Sequence, residues 1–366
     1  MWPFVENLSA ELVKQNYEVH ILDHEQHILV NYNKNSSQQL IKFLPSIVPY
    51  TRSFYRLFLL KQIDKKYKHI FSKLTGKYDV TFILYHFDKL NKYANLISKT
   101  SNRLVISYAG SDFLNVSDSI KEENRQLLDE AHTIAFNNPY MKEDFIKHYD
   151  NYREKIKITG FGLSNLSIIA KLKKQESLFK TKTLLSIPTN KIVISVGYTG
   201  DERHRHLDFF KLIKDVPKII KDRLFFIMPM TYINSDTYIK RVSQEAEKQS
   251  LSYKIFDKRL SDNDICRIRL ATDIAIHIAS MDQSSASMLE HIFSGNVVIA
   301  GNWLPYKFWD DLGIYSHRIK EDNLLDTLLF VLNNLDEERT KSQQNEKIIS
   351  NSYSWEARIK KWVDVL

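Results

Sequence analysis

The stretch KIVISVGYTGDERHRHLDFFKLI, residues 191–213, decides the fold. It opens on a short apolar run rich in β-branched residues, the pattern of a strand buried on both faces. Gly197 and Gly200 follow at once, and from His206 apolar residues recur at helical spacing. Strand, glycine turn and helix in that order open a βα unit. The alternation continues in both directions. Downstream, strands are predicted at 224–228, 253–256, 274–277 and 297–300. Upstream they fall at 17–23, 79–84, 103–108, 133–136 and 155–159, with helices at 120–131 and 141–149. Such alternation predicts an α/β protein whose mostly parallel sheets are covered by helices on both faces.

The chain has 366 residues, a length that suits two domains. Gly162, a lysine-rich stretch at 171–182 and Pro188 interrupt the pattern. We therefore place an N-terminal Rossmann-like domain at 1–163, a linker at 164–190 and a C-terminal Rossmann-like domain at 191–351. Residues 352–366 read as a basic helix containing Trp355 and Trp362 that completes the first domain. A helix precedes the first strand, so the opening strand of a doubly wound domain is missing from the pattern.

Composition narrows the class. The chain is 43% hydrophobic and 26% charged, as expected of a globular protein rather than a disordered one. The single cysteine, Cys266, excludes an intrachain disulfide and a four-cysteine zinc site. Lysine and arginine exceed acidic residues by 52 − 44 = 8, which favours anionic partners. No apolar run is long enough to span a bilayer, and the N-terminus lacks a signal-peptide pattern. A cytoplasmic protein is expected. No RNA-binding aromatic motif or zinc finger supports a nucleic-acid partner.

Two stretches could carry chemistry. In GYTGDERHRH, Gly197 and Gly200 allow backbone bends, a helix N-terminus follows, and Arg203, His204, Arg205 and His206 add cationic or donor groups, Arg203 and His206 being the side chains assigned to the diphosphate. With Thr199 and Asp201 this makes a diphosphate cradle; a glycine turn with solvated charges is the plainer alternative. In MDQSSASMLEHIFSG, Ser284 and Ser285 precede a helix ending near Ser294, with Gly295 placed to terminate it. Asp282 and Glu290 stand eight apart, and Glu290, early in that helix, could accept bonds from a sugar diol. The plainer alternative is a Ser287-x-x-Glu290 capping box. The pair Asp310-Asp311 reads as a solvated pair or cap rather than a metal site, and no cofactor or metal is expected.

The acidic-x7-Glu spacing of Asp282 and Glu290 before SGNVVIAG resembles the donor motif of retaining GT-B glycosyltransferases. That resemblance implies two Rossmann-like domains facing each other across a cleft, with a C-terminal helix crossing back. It further implies that Asp282 contacts the transferred sugar and Glu290 holds the nucleotide ribose; Asp stands where the first residue is usually Glu. YDVTFILYHF (78–87) is similar to the strand ending in a histidine near the donor sugar, which would be His86. YAGSDF (108–113) resembles the acceptor-side loop, with Asp112 as its carboxylate. His86 or Asp112 could also deprotonate an acceptor hydroxyl.

The segments GYTGDERHRHLDFF, IMPMTYINSDTYI and FWDDL resemble the bacterial transferases that add N-acetylfucosamine from a TDP-sugar to a lipid-linked acceptor. Tyr232 joins the donor-binding set on that likeness. The implied function is transfer of a sugar, such as an N-acetylated deoxy-amino sugar, from a nucleoside diphosphate without a metal. The implied acceptor is a polyprenyl-diphosphate-linked or other glycan of the bacterial envelope. The stretch 40–61, LIKFLPSIVPYTRSFYRLFLLK, mixes aromatic, leucine and basic residues and continues into Lys65, Lys66, Lys68 and His69. It suits an anionic membrane surface, so a peripheral position on the inner face is expected, with a core helix as the plainer alternative. A non-catalytic GT-B-like partner subunit is the competing reading of the whole chain.

Overall fold

The computed structural model describes residues 3–23, 28–32, 40–42, 53–86, 88–231 and 235–366, with side chains for fewer of those before residue 64. Two compact units result, one formed by Met1–Gly162 with Trp355–Leu366 and the other by Leu163–Ser354.

The first unit opens with the helix Pro3–Lys14, then an antiparallel three-stranded sheet of β1 (Val19–Asp23), β2 (Ile28–Tyr32) and β3 (Leu40–Lys42). The helix Ser53–Leu74 leads to β4 (Tyr78–Leu84), β5 (Ser101–Tyr108), β6 (Thr133–Phe136) and β7 (Ile156–Ile158). These four pair in parallel in chain order. Side chains alternate across a strand, so the apolar runs feed two cores. Leu104, Ile106, Tyr108, Ile134 and Phe136 enter one with Phe145 and Leu127. Val105 and Ala135 enter the other, beneath Leu8 and Leu12 of the first helix and Trp355, Ile359 and Trp362 of the last.

The last helix, Trp355–Val363, lies close against the chain at residues 160–162. Trp362 Nε1 donates to the Gly160 carbonyl at 3.2 Å. A Cβ at Gly162 would come within 2.2 Å of the Trp355 ring, so only glycine admits that contact.

In the second unit, residues 164–190 do not form an extended linker. They carry the helices Asn165–Gln175 and Leu178–Leu184, which pack on the helix Asp262–Ala271 because Leu166, Ile169 and Leu172 face inward. Beyond them lie β8 (Ile192–Val196), β9 (Leu224–Pro229), β10 (Tyr253–Phe256), β11 (Ile274–His277), β12 (Val297–Gly301) and β13 (His317–Ile319). They form one parallel sheet in the order β10-β9-β8-β11-β12-β13. Ile194, Val196, Phe226 and Met228 face one core, and Val193, Phe225 and Ile227 the other.

β2, β3 and β13 escaped the sequence pattern; β13 has only three residues, two of them His317 and Arg318. The stretch 40–61 yields β3 and the start of the helix at Ser53, and the remainder of it, with its side chains, lies outside the described residues. Among the described residues no helix is long and apolar enough to cross a membrane.

Candidate functional site

The strand order of the second sheet fixes where a ligand can sit. From β8 the chain winds outward through β9 to β10, then returns to β11 and winds the other way through β12 to β13. The loops leaving the carboxyl ends of β8 and β11 therefore diverge, and this is the point at which open α/β sheets form a ligand crevice.

The loop after β8 turns on Gly197, whose φ of +62° is easy only for glycine. A Cβ there would lie 2.7 Å from His206 Nε2 and 3.2 Å from His204 Nδ1. The missing side chain thus makes room for two imidazoles. The Thr199 hydroxyl accepts from the Asp201 amide at 3.2 Å, and Gly200 is buried beside it. Asp201 accepts the Arg203 amide at 2.8 Å and the Arg203 guanidinium at 3.0 Å. The Ser280 amide donates to the Arg203 carbonyl at 2.8 Å, tying this loop to the one after β11. Arg205, in the left-handed region at φ +56°, starts the helix His206–Ile213.

This geometry corrects one expectation. His206 is fully buried, with Nδ1 3.3 Å from the Tyr238 hydroxyl, and burial lowers it to about 4. It is a neutral core histidine, not a group presented to a phosphate. Arg203 is the half-exposed cation of the loop, sharing its charge with Asp201.

The loop after β11 carries Asp282. Tyr198, from the other side of the crevice, donates its hydroxyl to Asp282 Oδ2 at 2.8 Å. His277 Nε2 lies 2.9 Å from the same oxygen and 3.0 Å from the Tyr306 hydroxyl. The Gln283 amide donates to Oδ1 at 2.7 Å. Burial would raise the Asp282 carboxyl, but His277 and the two tyrosines outweigh it and hold it below its usual range. Tyr306 is stacked on Trp309 at 4.1 Å and on His277 at 5.8 Å, so the carboxylate rests on a rigid aromatic floor. Burial pushes both tyrosines upward, so they remain protonated donors.

Ser285 caps the helix Ala286–Phe293 by accepting the Met288 amide at 3.1 Å, and Ser284 lies half-buried before it. The box between Ser287 and Glu290 is not formed, because the helix begins earlier. Gly295 takes φ +85° just past the helix end, as its position required.

Glu290 departs from the expectation of an open ribose contact. It is buried, with Oε2 3.1 Å from Arg269 Nε and Oε1 accepting Asn165 Nδ2 at 2.7 Å. Arg269 Nη1 also lies 3.2 Å from His291 Nε2, and Asn296 Nδ2 lies 2.7 Å from His291 Nδ1. The carboxylate neutralises a buried guanidinium inside a closed network, so a ligand hydroxyl would have to displace one of these donors.

In the first unit, His86 and Asp112 meet at the ends of β4 and β5, but neither side chain is left open. His86 Nδ1 lies 2.6 Å from the Tyr108 hydroxyl and Nε2 2.7 Å from Asn91 Oδ1, which in turn is steadied by Asn124. Burial lowers His86 to about 4. Asp112 accepts the amides of His86 at 2.9 Å, Ala109 at 3.0 Å and Gly110 at 2.8 Å. It staples two strand ends together, and proton transfer through either residue would first break these bonds. That is the physical correction to their expected roles.

Tyr232 lies outside the described residues. Asp311 pairs with Lys307 at 2.8 Å and Asp310 lies 3.9 Å from Arg318, both at the surface. Among the described residues no cluster of three or more histidine, cysteine or acidic side chains is arranged to hold a metal. The residue pattern missed the roles of His277, Tyr198 and Tyr306. Only His277 left a signal, as the one polar side chain closing the apolar run of β11.

No family model matches the chain, and no curated protein is similar to it in sequence. Solved structures are similar in fold. Sucrose-phosphate synthase from Thermosynechococcus elongatus aligns with a TM-score of 0.68 at 12% identity, covering 99% of this chain and 91% of that one. A glycosyltransferase from Rickettsia africae gives 0.66 at 16%, covering 87% and 83%. Anabaena HepE in complex with UDP and glucose gives 0.61 at 14%, covering 86% and 83%. The chain has the GT-B fold of these glycosyltransferases.

Proposed function

We propose that this protein transfers a sugar from a nucleoside-diphosphate donor to a glycan or lipid-linked acceptor. The observation that carries the reading is the meeting of Tyr198 and Asp282 at the point where the strand order of the second sheet reverses. HepE, similar in fold, is seen with UDP and with UDP-glucose, which supports a donor of that class.

Negative charge builds on the departing diphosphate as the glycosidic bond breaks, and a fixed cation nearby lowers that barrier. Arg203 is the residue we assign to it. Asp282 is kept ionised by its donors and is only 10% exposed, so it would reach the transferred sugar by giving up the Tyr198 or His277 bond, and Ser284 would complete the loop's polar contacts. We extend the reading to an N-acetylated deoxy-amino sugar carried on TDP, a polyprenyl-diphosphate acceptor of the bacterial envelope, work at the inner membrane face, and metal-independent transfer. The test is a thermal-shift screen of nucleotide sugars, then mass analysis of product on a lipid acceptor with and without EDTA. A shift with a nucleotide sugar and an EDTA-insensitive product support the reading; a folded protein that no nucleoside diphosphate stabilises overturns it.

One observation favours a second reading, a non-catalytic partner of another transferase. Glu290 is already held by Arg269 and Asn165. The same screen separates the two, since a partner that lost its donor site would show no shift.

A further inference from the structure

We propose that the helix Leu178–Leu184 is a docking surface for an anionic lipid bilayer. The helix is fixed from one side. Thr181, Lys182 and Leu185 are buried, and Lys182 Nζ donates to the Lys191 carbonyl at 2.9 Å. At about 100° per residue, Phe179, Lys180, Thr183 and Leu184 then fall on the opposite arc. That arc is solvent-facing: Phe179 is 68% exposed and Leu184 54%, while Leu178, exposed only because it starts the helix, lies off it. Isolated exposed apolar residues are ordinary, but Phe179 and Leu184 are held on one outward arc with Lys180 between them.

Charge says what covers it. Residues 171–184 hold five lysines and a single acid, Glu176. Glu176 turns inward and binds Arg267 through both oxygens, at 2.9 and 3.1 Å. Its charge is spent there. Lys171, Lys174 and Lys180 are exposed, and chain length keeps Lys174 within about 18 Å of Phe179. A protein surface would have to supply matching carboxylates around an apolar socket. An anionic bilayer supplies headgroup charge for Lys180 and its neighbouring lysines and acyl chains for Phe179 and Leu184.

The inference deepens the membrane part of the function proposed above. It rests on that reading only in that a lipid-linked acceptor gives docking a purpose. Vesicle binding needs no donor, so its failure leaves the transferase assay untouched.

The experiment is sedimentation of the full chain with vesicles of phosphatidylcholine alone and of phosphatidylcholine with phosphatidylglycerol. The wild type should sediment with the anionic vesicles and not the neutral ones. The double variant Phe179→Ser, Leu184→Ser should lose about tenfold or more in partitioning. The triple variant Lys171→Gln, Lys174→Gln, Lys180→Gln should lose both binding and its salt dependence. Ile219→Ser, at an exposed isoleucine flanked by Lys218 and Lys221, should bind as wild type. Unchanged melting temperatures show that the variants fold. A wild type left in the supernatant overturns the proposal, as does a double variant that binds normally. So does a dimer, seen by light scattering, that the double variant converts to monomer, because the patch would then join two copies.

Discussion

The Asp282 carboxylate receives a tyrosine hydroxyl, a backbone amide and the edge of a buried imidazole, and this set decides what its substitution does. Asp282→Asn keeps the shape but sets an amide donor against Tyr198 or His277. We expect a stability loss of about 1–3 kcal/mol from the mismatched bonds. We also expect loss of transfer by about a hundredfold or more, read as kcat with donor affinity measured separately. Normal turnover in a folded variant would remove Asp282 from the chemistry. Glu290 behaves differently. Its spacing promised a ligand contact, but its oxygens hold Arg269 and Asn165, so Glu290→Ala strands a buried guanidinium. Urea unfolding should show a loss of about 3–5 kcal/mol. A loss below about 1 kcal/mol, with donor binding abolished, would restore the ribose role. Spacing alone could not separate these outcomes, because the partners of Glu290 come from residues 21 and 125 positions away.

At the scale of the element, strands legible as apolar runs formed where the pattern put them, because burial on both faces leaves little doubt about a run such as Leu224–Pro229. The turn after β8 is the element most exposed to a single methyl group. Gly197→Ala meets both a left-handed φ and an imidazole 2.7 Å away. The strain alone should cost about 1–2 kcal/mol, seen as a lower melting temperature, and any displacement of His206 adds to it. The terminal helix depends on Trp362, which is fully buried among Phe4, Phe82 and the sheet. Trp362→Ala should destabilise by about 3–5 kcal/mol in urea, and a loss under about 1 kcal/mol would show that the helix is not held there. Short, polar elements stayed hidden: β13 shows no apolar period because its edge position asks for none.

For the whole molecule, buried neutral histidines set the response to acid. Burial lowers His86 and His206 to about 4 and His204 to about 3, the last with help from neighbouring imidazoles. The unfolded chain takes up these protons near pH 6.5, whereas the folded chain does not. Stability is therefore intact above pH 6.5 and falls as pH drops toward 4, by up to about 1.4 kcal/mol per pH unit for each histidine. Urea midpoints from pH 8 to 5 should decline accordingly, and a flat profile would show that these rings gain protons while folded. The groups lie in both units, so each unit should show the decline.

The sequence by itself determined the α/β class, the parallel strands and the glycine turn after β8, because each rests on local periodicity or on a backbone angle a few residues impose. It also marked Asp282, which the structure ties to Tyr198, His277 and the Gln283 amide. Only the tertiary structure decided which polar side chains remain available. Glu290, His86, Asp112 and His206 all looked like site residues, and each is instead bonded or buried by at least one partner 20 or more positions away in the chain. A buried polar group must find such partners, and the sequence carries no local record of which ones it finds.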